Sequence, residues 1–146
     1  MKKISCAAIF FFIILFADAQ IRKIPAQVTD AFAIRYPHAS GVEWKDKLQY
    51  FEATFQLNGA TITADFSSKG EWESSERILS FEQLPSDVKD GISKSKYADW
   101  EKRSVTEIQE LGKPLQYKIN VYKSGFQKKN LFFNADGKLL KDPINL

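Results

Sequence analysis

The chain predicts an α+β fold: one continuous antiparallel sheet with two short helices on one face, built from a unit of helix plus antiparallel strands written twice. Three observations carry this. An apolar residue and a proline open an amphipathic stretch at Ile24-Pro25 and again at Leu84-Pro85. Aromatic-rich alternating segments follow each opening. Each set closes on a Phe-x-x-x-Gly turn, Phe66 to Gly70 and Phe133 to Gly137. One helix and a few strands cannot bury their apolar faces alone, whereas two such units joined edge to edge can. The repeats are expected at about residues 24–79 and 84–142, within a single domain spanning 20–146.

Residues 1–19 stand apart. Lys2 and Lys3 precede the apolar run Ile4 to Phe16, and Ala17-Asp18-Ala19 offers small residues at both positions of a cleavage site. This is the layout of a secretory signal peptide, and the run is shorter than the roughly 20 residues a membrane-spanning helix needs. Cleavage is expected after Ala19, with the mature protein periplasmic or secreted and without a stable membrane anchor. Cys6 is the only cysteine and lies in this segment, so the mature chain has neither disulfides nor cysteine chemistry. Removing Lys2, Lys3 and Asp18 takes the net charge from +3 to +2, too mild for a nucleic-acid binder. The charge is unevenly spread: Gln20 to Leu79 holds 7 basic and 8 acidic residues, Ser80 to Leu146 holds 12 and 9.

In the first unit, Pro25 suits the first helical position, where its missing N–H is not needed. Val28, Ala31, Phe32 and Tyr36 recur on one helical face, and Pro37 ends the helix. Val42-Glu43-Trp44 alternates as a strand. Tyr50 to Leu57 alternates cleanly, and Asn58-Gly59 is a strong signal for a two-residue type I′ hairpin turn. That turn pairs Leu57 with Ala60, Phe55 with Ile62, Ala53 with Ala64 and Phe51 with Phe66, all apolar and all on one face. The other face pairs Gln56 with Thr61, Thr54 with Thr63 and Glu52 with Asp65. Ser67-Ser68-Lys69-Gly70 is a turn, and Glu71-Trp72-Glu73 begins the next strand, with Trp72 opposed in direction to the two glutamates.

In the second unit, Leu84, Val88 and Ile92 mark the helix face, with Tyr97 near its end as Tyr36 is in the first. Gly91 in mid-helix is disfavoured by about 1 kcal/mol against Ala, which points to close packing against the sheet. Trp100 to Ile108 reads as a strand and Leu111-Gly112-Lys113-Pro114 as a turn. Placing Tyr117, Ile119 and Val121 on one side with Leu131 and Phe133 calls for Val121 opposite Leu131, Ile119 opposite Phe133, and an odd loop of three or five residues around Gly125-Phe126-Gln127. Asn134 to Gly137 repeats the earlier turn and Leu139 takes the place of Trp72. From proline to closing glycine the second unit is seven residues longer, and the extra length is expected between Trp100 and Tyr117.

These helix openings, Tyr36-Pro37 at a helix end, and the aromatic hairpins leading to Phe66-x-x-x-Gly70 and Phe133-x-x-x-Gly137 resemble the exported bacterial family called putative beta-lactamase-inhibitor-like, PepSY-like, over about Ile24 to Asp142. The resemblance implies a tandem repeat similar to the beta-lactamase inhibitory protein, which grips an enzyme on the concave face of its sheet; PepSY domains proper are connected with restraint of peptidases. That inhibitory protein is held by disulfides and this mature chain has none, so none of its contact residues is carried over.

The residues themselves name no catalytic group, metal ligand or cofactor. His38 is the only histidine and falls in a loop, where it reads as a surface residue; no zinc set, Gly-x-Ser-x-Gly elbow, phosphate loop or calcium loop is present. Glu52 opposite Asp65 is the notable pair, because like charges across a ladder repel. It reads either as a site, for a cation, a basic partner group or an acid of raised pKa, or as a solvated pair relieved by a neighbouring Lys or Arg. The candidate binding surface is the sheet face away from the helices, carrying Tyr50, Glu52, Thr54, Thr63, Asp65, Tyr122 and Phe132. Aromatic residues among polar groups are typical anchors, so the expected partner is a protein or peptide of the cell envelope. The alternatives are a small-ligand or metal-ion sensor of the periplasm and, third, a hydrolase using Glu52 and Asp65.

Overall fold

The structure, a computed structural model, describes residues 23–124 and 127–141. The signal-peptide reading of 1–19 lies outside them. The elements are helix α1 (Ala26–Arg35), strands β1 (Ser40–Asp46), β2 (Tyr50–Leu57), β3 (Ala60–Ser67) and β4 (Trp72–Leu79), a 3-10 turn (Phe81–Gln83), helix α2 (Ser86–Ser93), and strands β5 (Glu101–Glu110), β6 (Gln116–Lys123), β7 (Gln127–Asn134) and β8 (Leu139–Lys141). The eight strands form one sheet in chain order, each antiparallel to the next.

Both helices lie on one face, as the apolar spacing requires. Val28 and Phe32 of α1 are buried against Phe51, Ala53, Phe55, Ile62, Ala64 and Phe66. The Phe32 ring is met by Phe55, Trp44, Tyr36 and Phe66 at centroid distances of 5.0 to 6.1 Å. Leu84, Val88 and Ile92 of the second helix segment are buried with Tyr97, Ile119, Val121, Leu131 and Phe133. Pro25 stands one residue outside α1 as its N-cap, with ψ of 143°, rather than at the first helical position. Extended geometry at that residue still lets its carbonyl accept from the amides of Val28 and Thr29.

The two apolar cores are separate clusters, and a polar seam divides them on the helix-bearing face. There Arg77 of β4 meets Glu107 of β5 in two parallel contacts, Nε to Oε1 at 3.0 Å and Nη2 to Oε2 at 3.1 Å, and the Tyr117 hydroxyl donates to Glu107 Oε2 at 3.3 Å. Burial first, and then the Glu107 charge, raise the Tyr117 hydroxyl above its usual pKa. This layout, one helix and one core per half, is compatible with a doubled unit.

The hairpin of β2 and β3 has the register read from its turn, down to Leu57 opposite Ala60 and Glu52 opposite Asp65. Asn58 and Gly59 have φ of 51° and 77°, the two positive values a type I′ turn needs. The β6–β7 hairpin differs from the expectation. Ile119 faces Leu131, Tyr117 faces Phe133 and Val121 faces Lys129, a two-residue slide from the expected pairing. Lys123 pairs with Gln127, which leaves three residues between the strands, one of the two odd lengths expected; Gly125 and Phe126 of that loop lie outside the described residues. Side chains repeat every two residues along a strand, so a slide of two leaves every residue on its expected face.

The extra length of the second half falls mostly where expected: β5 has 10 residues against 7 in β1, and a longer loop follows it. Gly91 in mid-helix does pack closely, as expected, but against the turn before β8 and not against a strand of the sheet. A Cβ on Gly91 would come 1.9 Å from the Gly137 carbonyl oxygen, and one on Gly137 would come 1.9 Å from that of Asp87. The turn before β8 is therefore pressed directly onto the α2 backbone.

Candidate binding surface

Among the described residues no helix covers the other face of the sheet. On β2 and β3 it carries Tyr50, Glu52, Thr54 and Gln56 opposite Ser67, Asp65, Thr63 and Thr61. Gln56 Nε2 donates to Thr61 Oγ1 at 2.8 Å and the Thr54 and Thr63 hydroxyls stand 3.4 Å apart. On β4 a bulge intervenes. Asp65 pairs with Ser74, yet the next residue, Phe66, pairs with Trp72, leaving Glu73 as the extra residue. The bulge lets Trp72 pack toward α1 while Glu73 and Ser74 both face the open side.

This region is hollowed into a concavity of about 640 Å³. Five of the seven residues named from sequence line it together: Tyr50, Glu52, Thr54, Thr63 and Asp65. The structure adds Lys45, Glu73, Ser74 and Glu76, and from the second half Ile108 and Glu110. The lining thus has five carboxylates and one lysine. Three of the carboxylates are held in ion pairs from the rim: Glu52 by Lys47 at 3.4 Å, Glu76 by Lys118 at 3.1 Å, and Glu110 by Lys113.

Asp65 is different. Its Oδ2 accepts from Ser74 Oγ at 2.8 Å, but its Oδ1 is buried with no hydrogen-bond partner. Its carboxyl is raised above the usual aspartate value, first by burial and then by the charges of Glu52, Glu73 and Glu76, against the lowering effect of Ser74. The two readings of the Glu52–Asp65 pair therefore divide: Glu52 is relieved by a lysine, and Asp65 carries the unrelieved charge. Among the described residues no group of three or more His, Cys, Asp or Glu converges to hold a metal ion. His38 is exposed in the turn after α1.

Tyr122 and Phe132 share this face but not the concavity. Tyr122, on β6, faces Glu101 and Lys128 and lies under the Arg103 guanidinium, 3.8 Å from its ring centroid. Phe132 faces Lys118 and Lys141. Four strand spacings separate β2 from β6, about 19 Å. The seven residues form two spots on one surface. Sequence reasoning did not reach Glu73, Ser74 and Glu76, because a bulge in β4 leaves no mark on the apolar alternation, nor Ile108 and Glu110, which come in through the β4–β5 pairing of the two halves.

Residues 49–141 match the family described as Putative beta-lactamase-inhibitor-like, PepSY-like. The chain belongs to this family. The PepSY-like chain is also similar to solved structures. A DUF2874 family protein from Bacteroides ovatus is 30% identical with a TM-score of 0.77, over 82% of this chain and 86% of that one. A BLIP-like protein from Bacteroides fragilis is 26% identical with a TM-score of 0.77, over 82% and 84%. A putative periplasmic protein from Bacteroides eggerthii is 26% identical with a TM-score of 0.75, over 82% and 87%. A search of curated proteins returns no match. Among the described residues no helix is long and apolar enough to cross a membrane.

Proposed function

We propose that this PepSY-like chain is an exported, non-catalytic binding module of the bacterial cell envelope that holds a protein or peptide partner on the open face of its sheet. The supporting observation is the acidic concavity of about 640 Å³ on that face, with Asp65 at its floor holding a buried, unpartnered oxygen. A partner's Lys or Arg seated in the concavity would offset the unrelieved charge of Asp65 and of the carboxylates around it. Tyr50 at the margin offers the aromatic contact such interfaces favour. The likeness to a BLIP-like protein and to a putative periplasmic protein supports export and a binding role. In this reading residues 1–19 are the signal peptide, cleaved after Ala19, and the two repeats, about 24–79 and 84–142, form one domain. Glu52 is engaged by Lys47 and the concavity is broad and open, so binding fits it better than glycoside or ester hydrolysis.

The test is affinity capture from envelope extract of the source cell, using the mature chain and a triple variant, Tyr50→Ala, Glu52→Gln and Asp65→Asn, with native folding checked by far-UV spectrum. A specific protein lost with the variant supports the reading, and inhibition of that protein can then be assayed directly. A second variant, Tyr122→Ala with Phe132→Ala, tells whether the footprint crosses the sheet. Capture unchanged in the triple variant rejects the concavity as the contact. A thermal shift with a free divalent cation, and no captured protein, would instead move the site to the small-ligand reading.

A further inference from the structure

The two edges of the sheet differ. At one end β8 is three residues long, the short form by which a sheet protects an edge. At the other end β1 runs for seven residues, Ser40–Asp46, without a proline. Among the described residues no strand pairs with its outer side. The backbone phase of β1 follows from its ladder with β2. The Lys47 amide donates to the Tyr50 carbonyl at 3.0 Å, and bonded pairs recur every two residues in an antiparallel ladder. Lys45 and Glu43 therefore direct their amides and carbonyls at Glu52 and Thr54, and the backbone groups of Trp44 between them point outward. Glu43 and Lys45 are both exposed and stand in line with Thr54 and Glu52 on the open face. Trp44 is on the other side, its ring centroid 5.3 Å from that of Phe32.

This edge is complementary to itself. We propose that β1 pairs with β1 of a second copy of this chain, antiparallel about a two-fold axis at Trp44. Each Trp44 amide then donates to the Trp44 carbonyl of the other copy. Glu43 of each copy falls opposite Lys45 of the other, in the closely spaced positions of the new ladder, where opposite charges across strands are favourable. Other registers fail. An axis at Asp46 sets Lys45 against Lys47 of the other copy, and an axis at Val42 falls in the bulge between Ser40 and Glu43. An edge lysine ordinarily deters pairing; a glutamate two residues away turns that deterrent against shifted partners and not against this one. Joined this way, two eight-stranded sheets continue one another. Lys45, which lines the acidic concavity, gains Glu43 of the other copy as a counter-charge. The bulge leaves few ladder bonds, so the association is weak and reversible. The concavity stays open in the pair, so this proposal and the partner-binding reading stand or fall separately.

The experiment is sedimentation equilibrium of the mature chain at low salt, from about 10 µM to about 1 mM protein, with hydrogen exchange of the Trp44 amide followed over the same range. A monomer–dimer equilibrium is expected, with the Trp44 amide more protected at high concentration. Glu43→Lys and Lys45→Glu should each weaken self-association about tenfold or more, because the symmetry turns two attractive pairs into two repulsive ones at once. An equimolar mixture of these two variants should associate as the wild type does, since each offers the charge that the other's edge lacks. Lys138→Glu, at the far end of the sheet, should change nothing, and far-UV spectra report the folding of each variant. A wild type that stays monomeric throughout, association unaltered by either reversal, a mixture that remains monomeric, or a Trp44 amide protected equally at every concentration would overturn the proposal.

Discussion

Replacing Asp65 by Asn should make the protein more stable at neutral pH and a poorer binder. The carboxylate sits directly across the ladder from Glu52, with Glu73 and Glu76 also acting on it. Removing a cross-strand like-charge pair gains about 0.5–1 kcal/mol. Asn keeps an acceptor for the 2.8 Å bond from Ser74, so little is lost in exchange. The sign with pH follows from the raised carboxyl. The folded state binds the Asp65 proton more tightly than the unfolded chain does, so wild-type stability falls as pH rises through the raised pKa. Below the ordinary value of 3.8 both states are protonated and this penalty vanishes. Urea unfolding of wild type and Asp65→Asn at several pH values should give curves that approach one another in acid and separate toward neutrality, the variant above. A variant less stable at pH 7, or a difference independent of pH, would refute the account of Asp65 as an unrelieved charge. Loss of partner capture in the same, more stable variant would distinguish a functional carboxylate from an inert one.

Three further outcomes follow from the packing. Gly91→Ala should destabilise despite better helix propensity: the gain of about 1 kcal/mol is outweighed by overpacking of about 1–3 kcal/mol, because the new methyl lands 1.9 Å from a backbone oxygen at Gly137; a raised Tm would contradict this. Phe32→Ala removes the ring at the centre of the first core and should lower stability by about 3–5 kcal/mol in urea unfolding, with near-UV signals from Trp44 changing most. Arg77→Ala leaves Glu107 beside Tyr117 at the seam; with side chains 44% and 21% exposed, the loss should stay near 1 kcal/mol, and a double-mutant cycle with Glu107→Gln isolates the pair.

Much of the fold can be read along the chain wherever one local rule constrains one local structure. Helix faces at Val28 and Phe32, or at Val88 and Ile92, follow from 3.6-residue spacing. The β2–β3 register follows from Asn58-Gly59 together with four apolar pairs, since a turn needing two positive φ angles admits few loop lengths. The carboxylate pair Glu52–Asp65 is therefore visible in sequence, and so are five of the residues that line the concavity.

Tertiary structure decides the rest, for identifiable reasons. A strand repeats every two residues, so apolar pattern alone is blind to a slide of two, and both β6–β7 pairings keep every side chain on its face. The bulge at Glu73 changes spacing by one residue, so Trp72 and Ser74 face opposite sides where plain alternation would put them on the same one. Above all, the relief of Glu52 by Lys47, the isolation of Asp65, and the joining of Glu76, Ile108 and Glu110 to them depend on where separate segments meet. Charge interactions act through space over a few ångströms, and distances of that kind exist only after β4 and β5 have joined the two halves into one sheet.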